Sequence, residues 1–141
     1  MAYEECSTYL SIVVYTPGRD PNDVTAILGL TPFRIARRGE RNRERNIPKE
    51  NFWSFRTEGS STNINDHWLQ VAPYLKGEAS RLKRQTAGMR VKVNIVATLN
   101  GQIPNYDVPV GMIQFLSELE VELGIAFYDM NAEGRPGWDG E

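Results

Sequence analysis

The sequence predicts an α+β fold, with a ferredoxin-like βαββαβ core and an added αβ unit at its C-terminal end. Along the 141 residues, segments with strand-like alternation take turns with segments of helical period. Their order is β-α-β-β-α-β, followed by α-β. Residues 89–99 alternate between apolar and polar side chains, as expected for a half-buried antiparallel strand. We therefore expect a mostly antiparallel sheet with the helices on one face.

The first strand and helix are marked by their composition and by the residues that bound them. Residues 7–16 are rich in β-branched and aromatic side chains and precede a Pro-Gly pair. Residues 20–30 carry helix signals. Asp20 is suited to cap the helix, Pro21 to occupy its first turn and Gly29 to end it.

Residues 31–38 and 51–58 predict the second and third strands, and a long segment connects them. Gly39, Asn42 and Pro48 within this segment are typical of turns. The connection is longer than a usual hairpin loop of two to five residues. Long connections often carry function, so this segment is the first place to look for a site.

A long amphipathic helix follows, because apolar residues recur at helical spacing from Ile64 to Leu82. Pro73 lies inside this pattern. Proline removes a backbone hydrogen bond and clashes with the preceding turn, so we expect it to kink or divide the helix. Gly88 is expected to end it.

The added unit at the C-terminal end consists of a helix and a strand. Residues 107–119 predict the helix, and residues 121–130 predict the strand. The spacing of Leu123, Ile125 and Phe127 places all three on one face of that strand, which we expect to face the core.

The composition fits one ordinary globular domain. Hydrophobic residues make up 40% of the chain, charged residues 24%, and the formal net charge is −2. We expect residues 1–141 to form a single domain with an ordered core at about 7–130 and a flexible tail at 131–141. With Cys6 as the lone cysteine, an internal disulfide is excluded.

A family resemblance rests on the spacing of several residues. Residues 28–32 read Leu-Gly-Leu-x-Pro, Gly39 follows, Trp53 opens the next strand, and "LSELEVELGIAFYD" lies near the end. In these features the chain, over about residues 7–130, resembles the bacterial domain-of-unknown-function 4279 family. The resemblance implies a small α+β domain with no established activity or site residues. By analogy with small domains of this general sort, it also suggests an immunity or antitoxin-like role.

Charge is distributed unevenly along the chain. Residues 34–49 carry seven Lys and Arg against Glu40 and Glu44, a net charge of +5, and residues 67–92 also have a net charge of +5. Residues 93–141 carry one arginine against eight carboxylates, a net charge of −7. The near-neutral total therefore hides two basic segments and an acidic C-terminal third.

The residue types argue against an enzyme and against a bound cofactor or metal. A Ser-His-Asp or Cys-His arrangement has to use His67, the one histidine, which we expect to be exposed in the first turn of the long helix. One histidine and one cysteine cannot supply a structural zinc site. The glycine motifs of nucleotide-binding and hydrolase folds are absent from the sequence.

The arginine-rich segment is the candidate binding site, with two aromatic residues at its base as possible anchors. The candidate residues are Arg34, Arg37, Arg38, Arg41, Arg43, Arg45, Phe52 and Trp53. Arginine and aromatic side chains are enriched in protein interfaces, so we expect a non-catalytic module that binds a protein partner. A homodimer is also open, because the acidic third of a second copy could pair with the basic segments.

Three alternatives remain open for the same residues. The arginines could bind nucleic acid together with Tyr9 and Tyr15 on an open sheet face, although the pI near 5.5 is low for that role. They could recognise a small phosphorylated ligand. They could also be only a solvated loop, with Trp53 and Phe55 in the core.

The expected location is the cytoplasm of a bacterium, with no membrane association. No apolar run approaches the roughly 20 residues that cross a bilayer. The first residues lack the basic and hydrophobic stretches of a signal peptide.

Overall fold

The computed structural model describes residues 7–101 and 104–129, and within them it contains five strands and four helices. In chain order they are β1 (Ser7–Tyr15), α1 (Asp23–Leu28), β2 (Arg34–Ala36), β3 (Phe52–Arg56), α2 (Ile64–Leu75), α3 (Ala79–Gln85), β4 (Arg90–Leu99), α4 (Val110–Leu119) and β5 (Leu123–Asp129). The predicted α+β class is confirmed. The predicted tail at 131–141 lies outside the described residues.

The strands form one mixed sheet in the order β2-β3-β1-β4-β5. The pairings β2–β3, β3–β1 and β1–β4 are antiparallel, whereas β4 and β5 are parallel. The parallel pair arises because α4 lies between its two strands in the sequence, and a helical crossover returns the chain in the same direction. The sheet is thus mixed and not purely antiparallel.

Strand β1 lies at the centre of the sheet and divides its residues between two environments. Thr8, Leu10, Ile12 and Val14 are buried, and the residues between them are half-buried. The apolar members of the buried set share one core with residues from all four helices, namely Val24, Leu28, Trp68, Val71, Leu75, Ala79, Leu82, Met112, Phe115 and Leu116. Alternation along the strand therefore separates the core from the opposite face of the sheet.

Helix α1 begins two residues later than the predicted cap suggested. It starts at Asp23, and the Asp20 carboxylate instead accepts a hydrogen bond of 3.0 Å from the backbone N–H of Asn22. Its end is as predicted. Gly29 has a φ of 71°, and its N–H donates to the carbonyl of Thr25, so the helix stops in the left-handed conformation that glycine favours.

The long helix is divided, but not at Pro73. That residue lies within α2, and the break falls at residues 76–78, between α2 and α3. Gly77 has a φ of 81° there. A left-handed residue cannot continue a right-handed helix, whereas a proline in an exposed turn leaves the buried face of the helix intact.

The prediction for the last strand is wrong for two of its three apolar residues. Leu123 packs against the core, but Ile125 and Phe127 are 48% and 49% exposed. Their partners on β4, Ile95 and Ala97, are fully buried. Since β5 is the last strand of the sheet order, it has a neighbour on one side, and its side chains are covered less.

Candidate functional site

The segment between β2 and β3, residues 37–51, folds into an ordered hairpin that we call the arginine hairpin. Arg41 and Asn42 donate their backbone N–H groups to the carbonyl of Ile47, at 2.9 and 3.1 Å, and Ile47 donates back to Asn42 at 3.0 Å. Gly39 N–H donates to the carbonyl of Pro48 at 2.9 Å. Residues 43–46 form the turn that these bonds close.

Polar side chains of the hairpin fix its backbone further. The Asn42 side-chain oxygen accepts from the backbone N–H of Arg45 at 3.1 Å, and that of Asn51 accepts from Arg38 at 2.7 Å. Glu40 accepts from the backbone N–H of Arg37 at 3.1 Å. The asparagine side chains and Glu40 therefore hold the hairpin backbone in place without using the side chains of Arg38, Arg43 or Arg45.

Five of the predicted arginines project from this hairpin into solvent, namely Arg37, Arg38, Arg41, Arg43 and Arg45. Arg37 forms an ion pair of 3.0 Å with Asp20. The pKa of the Asp20 carboxyl is lowered, chiefly by the hydrogen bond from Asn22 and also by Arg37, against an opposing effect of burial.

Three guanidinium groups of the hairpin are uncommitted. Within residues 7–101 and 104–129, those of Arg38, Arg43 and Arg45 have no hydrogen-bond or ion-pair partner. The hairpin thus presents positive charge on a fixed backbone.

The remaining predicted residues lie apart from the hairpin arginines. Arg34 is on β2, with its guanidinium carbon 5.4 Å from the centre of the Phe52 ring. Phe52 is only 9% exposed and contacts Tyr15. Trp53 is fully buried, and its Nε1 donates to the Thr25 hydroxyl at 3.1 Å. Trp53 is therefore a core residue, as the alternative interpretation had it, and is not available as a surface anchor.

The half-buried residues of the sheet line a broad open groove of about 850 Å³, which we call the sheet groove. Ser11, Val13 and Ser54 form its floor at the centre of the sheet, because Val13 pairs with Ser54 and Ser11 lies two residues away on the same strand. These side chains are small. Larger aromatic and basic side chains surround them on the neighbouring positions of the sheet.

Arg56 forms one side of the sheet groove and is held by aromatic rings. Its guanidinium carbon lies 3.7 Å from the centre of the Phe33 ring and 5.3 Å from that of Tyr9. Such stacking attracts the cation to the ring and limits its freedom. Among the described residues, no carboxylate pairs with this guanidinium.

The other side repeats the arrangement around Tyr15. The guanidinium carbon of Arg90 is 4.1 Å from the ring centre, and the ammonium of Lys92 is 5.7 Å from it. Arg90, which lies beside the groove lining, also pairs with Glu50 at 3.0 Å, and this pair neutralises the one acidic side chain among the described lining residues. The sheet groove is therefore positively charged on both sides.

A family model for a domain of unknown function, DUF4279, matches residues 4–130. The chain belongs to this family. No curated protein and no solved structure matches the chain significantly. Membership confirms the family resemblance seen in the sequence, and it supplies neither an activity nor a ligand.

Sequence reasoning on this DUF4279 domain found the arginine hairpin but missed the basic part of the sheet groove. Arg90, Lys92 and Asn94 were visible as the polar face of a strand, and Tyr9 and Tyr15 were expected on the open face. The pairing register that brings them together with Arg56 was not visible. Alternation shows which residues of one strand share a face. Only the strand order shows which strands lie side by side and so which of these residues meet.

The prediction that His67 is exposed is wrong for the DUF4279 domain, because its side chain is fully buried. Nε2 donates to the carbonyl of Ser61 at 2.6 Å, because a carbonyl oxygen can only accept, and Nδ1 shares a hydrogen bond of 2.6 Å with the Thr57 hydroxyl. The Thr57 oxygen accepts in turn from the backbone N–H of Leu10 at 2.9 Å. Nδ1 thus links α2 through Thr57 to β1, and Nε2 links α2 to the loop that precedes it.

Two kinds of site have no counterpart in the part of the chain that the structure describes. None of its helices is long and apolar enough to cross a bilayer. No three His, Cys, Asp or Glu side chains there are placed to share a metal ion.

Proposed function

We propose that this DUF4279 domain is a non-catalytic binding module that docks an acidic protein partner through the arginine hairpin. The observation that carries the proposal is the set of three uncommitted guanidinium groups, those of Arg38, Arg43 and Arg45, on a hydrogen-bonded backbone. Arginine forms planar, two-pronged hydrogen bonds with carboxylates, and an ordered backbone lowers the entropic cost of presenting it.

An immunity or antitoxin-like role in the bacterial cytoplasm is the most specific form of this proposal. Such a protein acts by binding one partner stoichiometrically, and it needs no catalytic constellation. A basic docking surface suits a partner whose own exposed surface is acidic, because charge complementarity raises the association rate and selects against other proteins.

We also infer a ferredoxin-like core behind this surface. Strands β1 to β4 are antiparallel throughout and adjacent in the order β2-β3-β1-β4, and helices follow β1 and β3 in the sequence. In this arrangement the helices cover one face, with α4 and β5 as the added unit. The other face, which carries the sheet groove, is then free to bind.

A capture experiment tests the proposal. The tagged wild-type chain and the variant with Arg38, Arg43 and Arg45 changed to Gln are exposed to host lysate, and bound protein is identified by mass spectrometry. A matched control changes Lys76, Lys83 and Arg84 to Gln, which removes the same charge elsewhere. We expect one stoichiometric partner, bound at least tenfold more weakly by the hairpin variant and unchanged by the control.

The melting temperature keeps this test interpretable. Exposed substitutions change stability by about 0.5 kcal/mol or less, so the hairpin variant should melt within about 2 °C of wild type. A variant that unfolds would make the segment structural, and a partner retained at full affinity would remove the hairpin from the interface. Captured nucleic acid without a protein would favour the competing function, which rests on Tyr9, Tyr15 and the cations beside them.

A further inference from the structure

We propose that the sheet groove binds an extended acidic segment of the partner protein, with the stacked guanidinium of Arg56 as its central anion contact. The proposal rests on the proposed function, because it takes the partner to be an acidic protein. It adds a second contact surface beside the hairpin and specifies that the partner contributes an extended segment to it.

The shape of the groove favours an inserted chain. The floor side chains Ser11, Val13 and Ser54 are small, and the sides rise at Arg56 and at Lys92. Arg56 lies on β3 and Lys92 on β4, with β1 between them. Two strand spacings separate them, about 10 Å between backbones. A segment with two or three carboxylates can contact both cations at once.

The stacking of Arg56 suits it to a carboxylate. Its guanidinium carbon lies over the Phe33 ring and near the Tyr9 ring, and a contact with a ring leaves N–H groups of a guanidinium to donate to a carboxylate. The rings also hold the side chain in place before binding, which reduces the rotamer entropy lost on docking. An extended peptide places alternate side chains on one side about 7 Å apart, a spacing that long basic side chains can match.

The surface continues beyond Arg56 into a second cleft of about 920 Å³. The two cavities share Tyr9, Phe33, Phe55 and Arg56, so they form one path across the molecule. Phe33 and Tyr74 in the second cleft are 55% and 51% exposed. A path of this length suits an extended chain. The second cleft suits apolar side chains of that chain, next to the acidic side chains that bind in the groove.

The same observations favour a peptide over a single-stranded nucleic acid. Cations of the domain itself already lie over the rings of Phe33 and Tyr15, which bases would need for stacking. A nucleic acid would also carry a phosphate past Glu58 in the second cleft. A peptide, in contrast, can carry carboxylates only at the positions that lie next to the cations of the groove.

The test titrates the ¹⁵N-labelled full chain with a synthetic decapeptide. The peptide has glutamate at its first, third and fifth positions, leucine at its seventh and ninth, and serine between them. We expect saturable shifts of the backbone amides at Ser11, Val13, Ser54 and Asn94. A peptide with glutamine in place of glutamate, at the same salt concentration, should bind at least tenfold more weakly.

Variants of the chain separate a groove contact from a general charge effect. Changing Arg56 and Lys92 to Gln should weaken peptide binding at least tenfold, and changing Lys76 and Arg84 to Gln, which removes equal charge, should not. Phe33→Ala keeps the charge but removes the ring beneath Arg56, and it should weaken binding two- to fivefold.

The outcomes are distinguishable from failure of the proposed function. The inference is overturned if millimolar peptide shifts no groove amide, if shifts are confined to residues 41–46, or if a ten-nucleotide oligothymidylate binds the groove amides more tightly. With the captured partner, loss of binding in the hairpin variant alone leaves the proposed function standing without the groove. Retention by the hairpin variant removes the proposed function itself.

Discussion

In the arginine hairpin, the guanidinium groups of Arg38, Arg43 and Arg45 stand on a backbone fixed by hydrogen bonds, with their side chains in solvent. In the sheet groove, Arg56 lies over the Phe33 ring, and Lys92 lies near the Tyr15 ring. The hairpin therefore orders its main chain but gives these three guanidinium groups no partner among the described residues, whereas the groove places its cations against aromatic rings. In the docking that we propose, the two surfaces therefore have different tasks: the hairpin supplies long-range attraction, and the groove supplies fixed contacts.

Substitutions in the core that supports the two charged surfaces should lower the free energy of unfolding far more than substitutions on the surfaces. The largest decrease is expected at Trp53. Its ring is fully buried next to Phe52, which faces the groove side. Trp53→Ala removes a large core side chain and should lower the free energy of unfolding by about 3–5 kcal/mol. Urea denaturation followed by circular dichroism measures the change.

The matched control for Trp53→Ala is the hairpin variant with Arg38, Arg43 and Arg45 changed to Gln. It should unfold within about 0.5 kcal/mol of wild type. A loss below about 1 kcal/mol in Trp53→Ala would contradict its assignment to the core and would return it to the list of surface anchors.

A smaller effect is expected from the aromatic ring that contacts Arg56 in the groove, because Arg43 in the hairpin has no such contact among the described residues. Because Arg56 lies 3.7 Å from the Phe33 ring centre, its δ-methylene and Nε–H resonances should be shifted upfield by the ring current. Phe33→Ala should remove that shift and lower the free energy of unfolding by less than about 1 kcal/mol. The resonances of Arg43 should stay near random-coil positions in both proteins. Equal shifts for Arg43 and Arg56 would erase the distinction between the two surfaces.

The sequence predicts a region well when the residues that form it are close together in the sequence. The arginine hairpin could be found because its residues are contiguous and its turn formers, Gly39 and Asn42, lie among them. The groove joins Arg56 on β3, Tyr9 on β1 and Lys92 on β4, so it depends on the strand order. A one-residue change in register exchanges the two faces of a strand.

Two further residues show the limit of pattern reasoning. Phe52 and Trp53 are adjacent aromatic residues, and the sequence could not decide which of them faced the core. His67 was placed in solvent because a polar residue early in a helix usually lies there. Its partners, Thr57 and Ser61, follow β3, and only the packing of α2 on the sheet brings them into contact with the ring.

The smallest effect is expected at Asp20, where the arginine hairpin meets the body of the domain. Its lowered pKa means that the ionised carboxylate stabilises the fold at a pH above the unfolded value of about 3.9, and that this contribution is lost as the pH falls through the folded value. The melting temperature of wild type should therefore exceed that of Asp20→Asn slightly at neutral pH, and the difference should vanish on acidification. Because the backbone N–H of Asn22 is the main cause, most of the difference should persist in an Arg37→Gln background. If it disappears there, Arg37 fastens the hairpin to the domain, and Arg37 then differs in role from Arg38, Arg43 and Arg45.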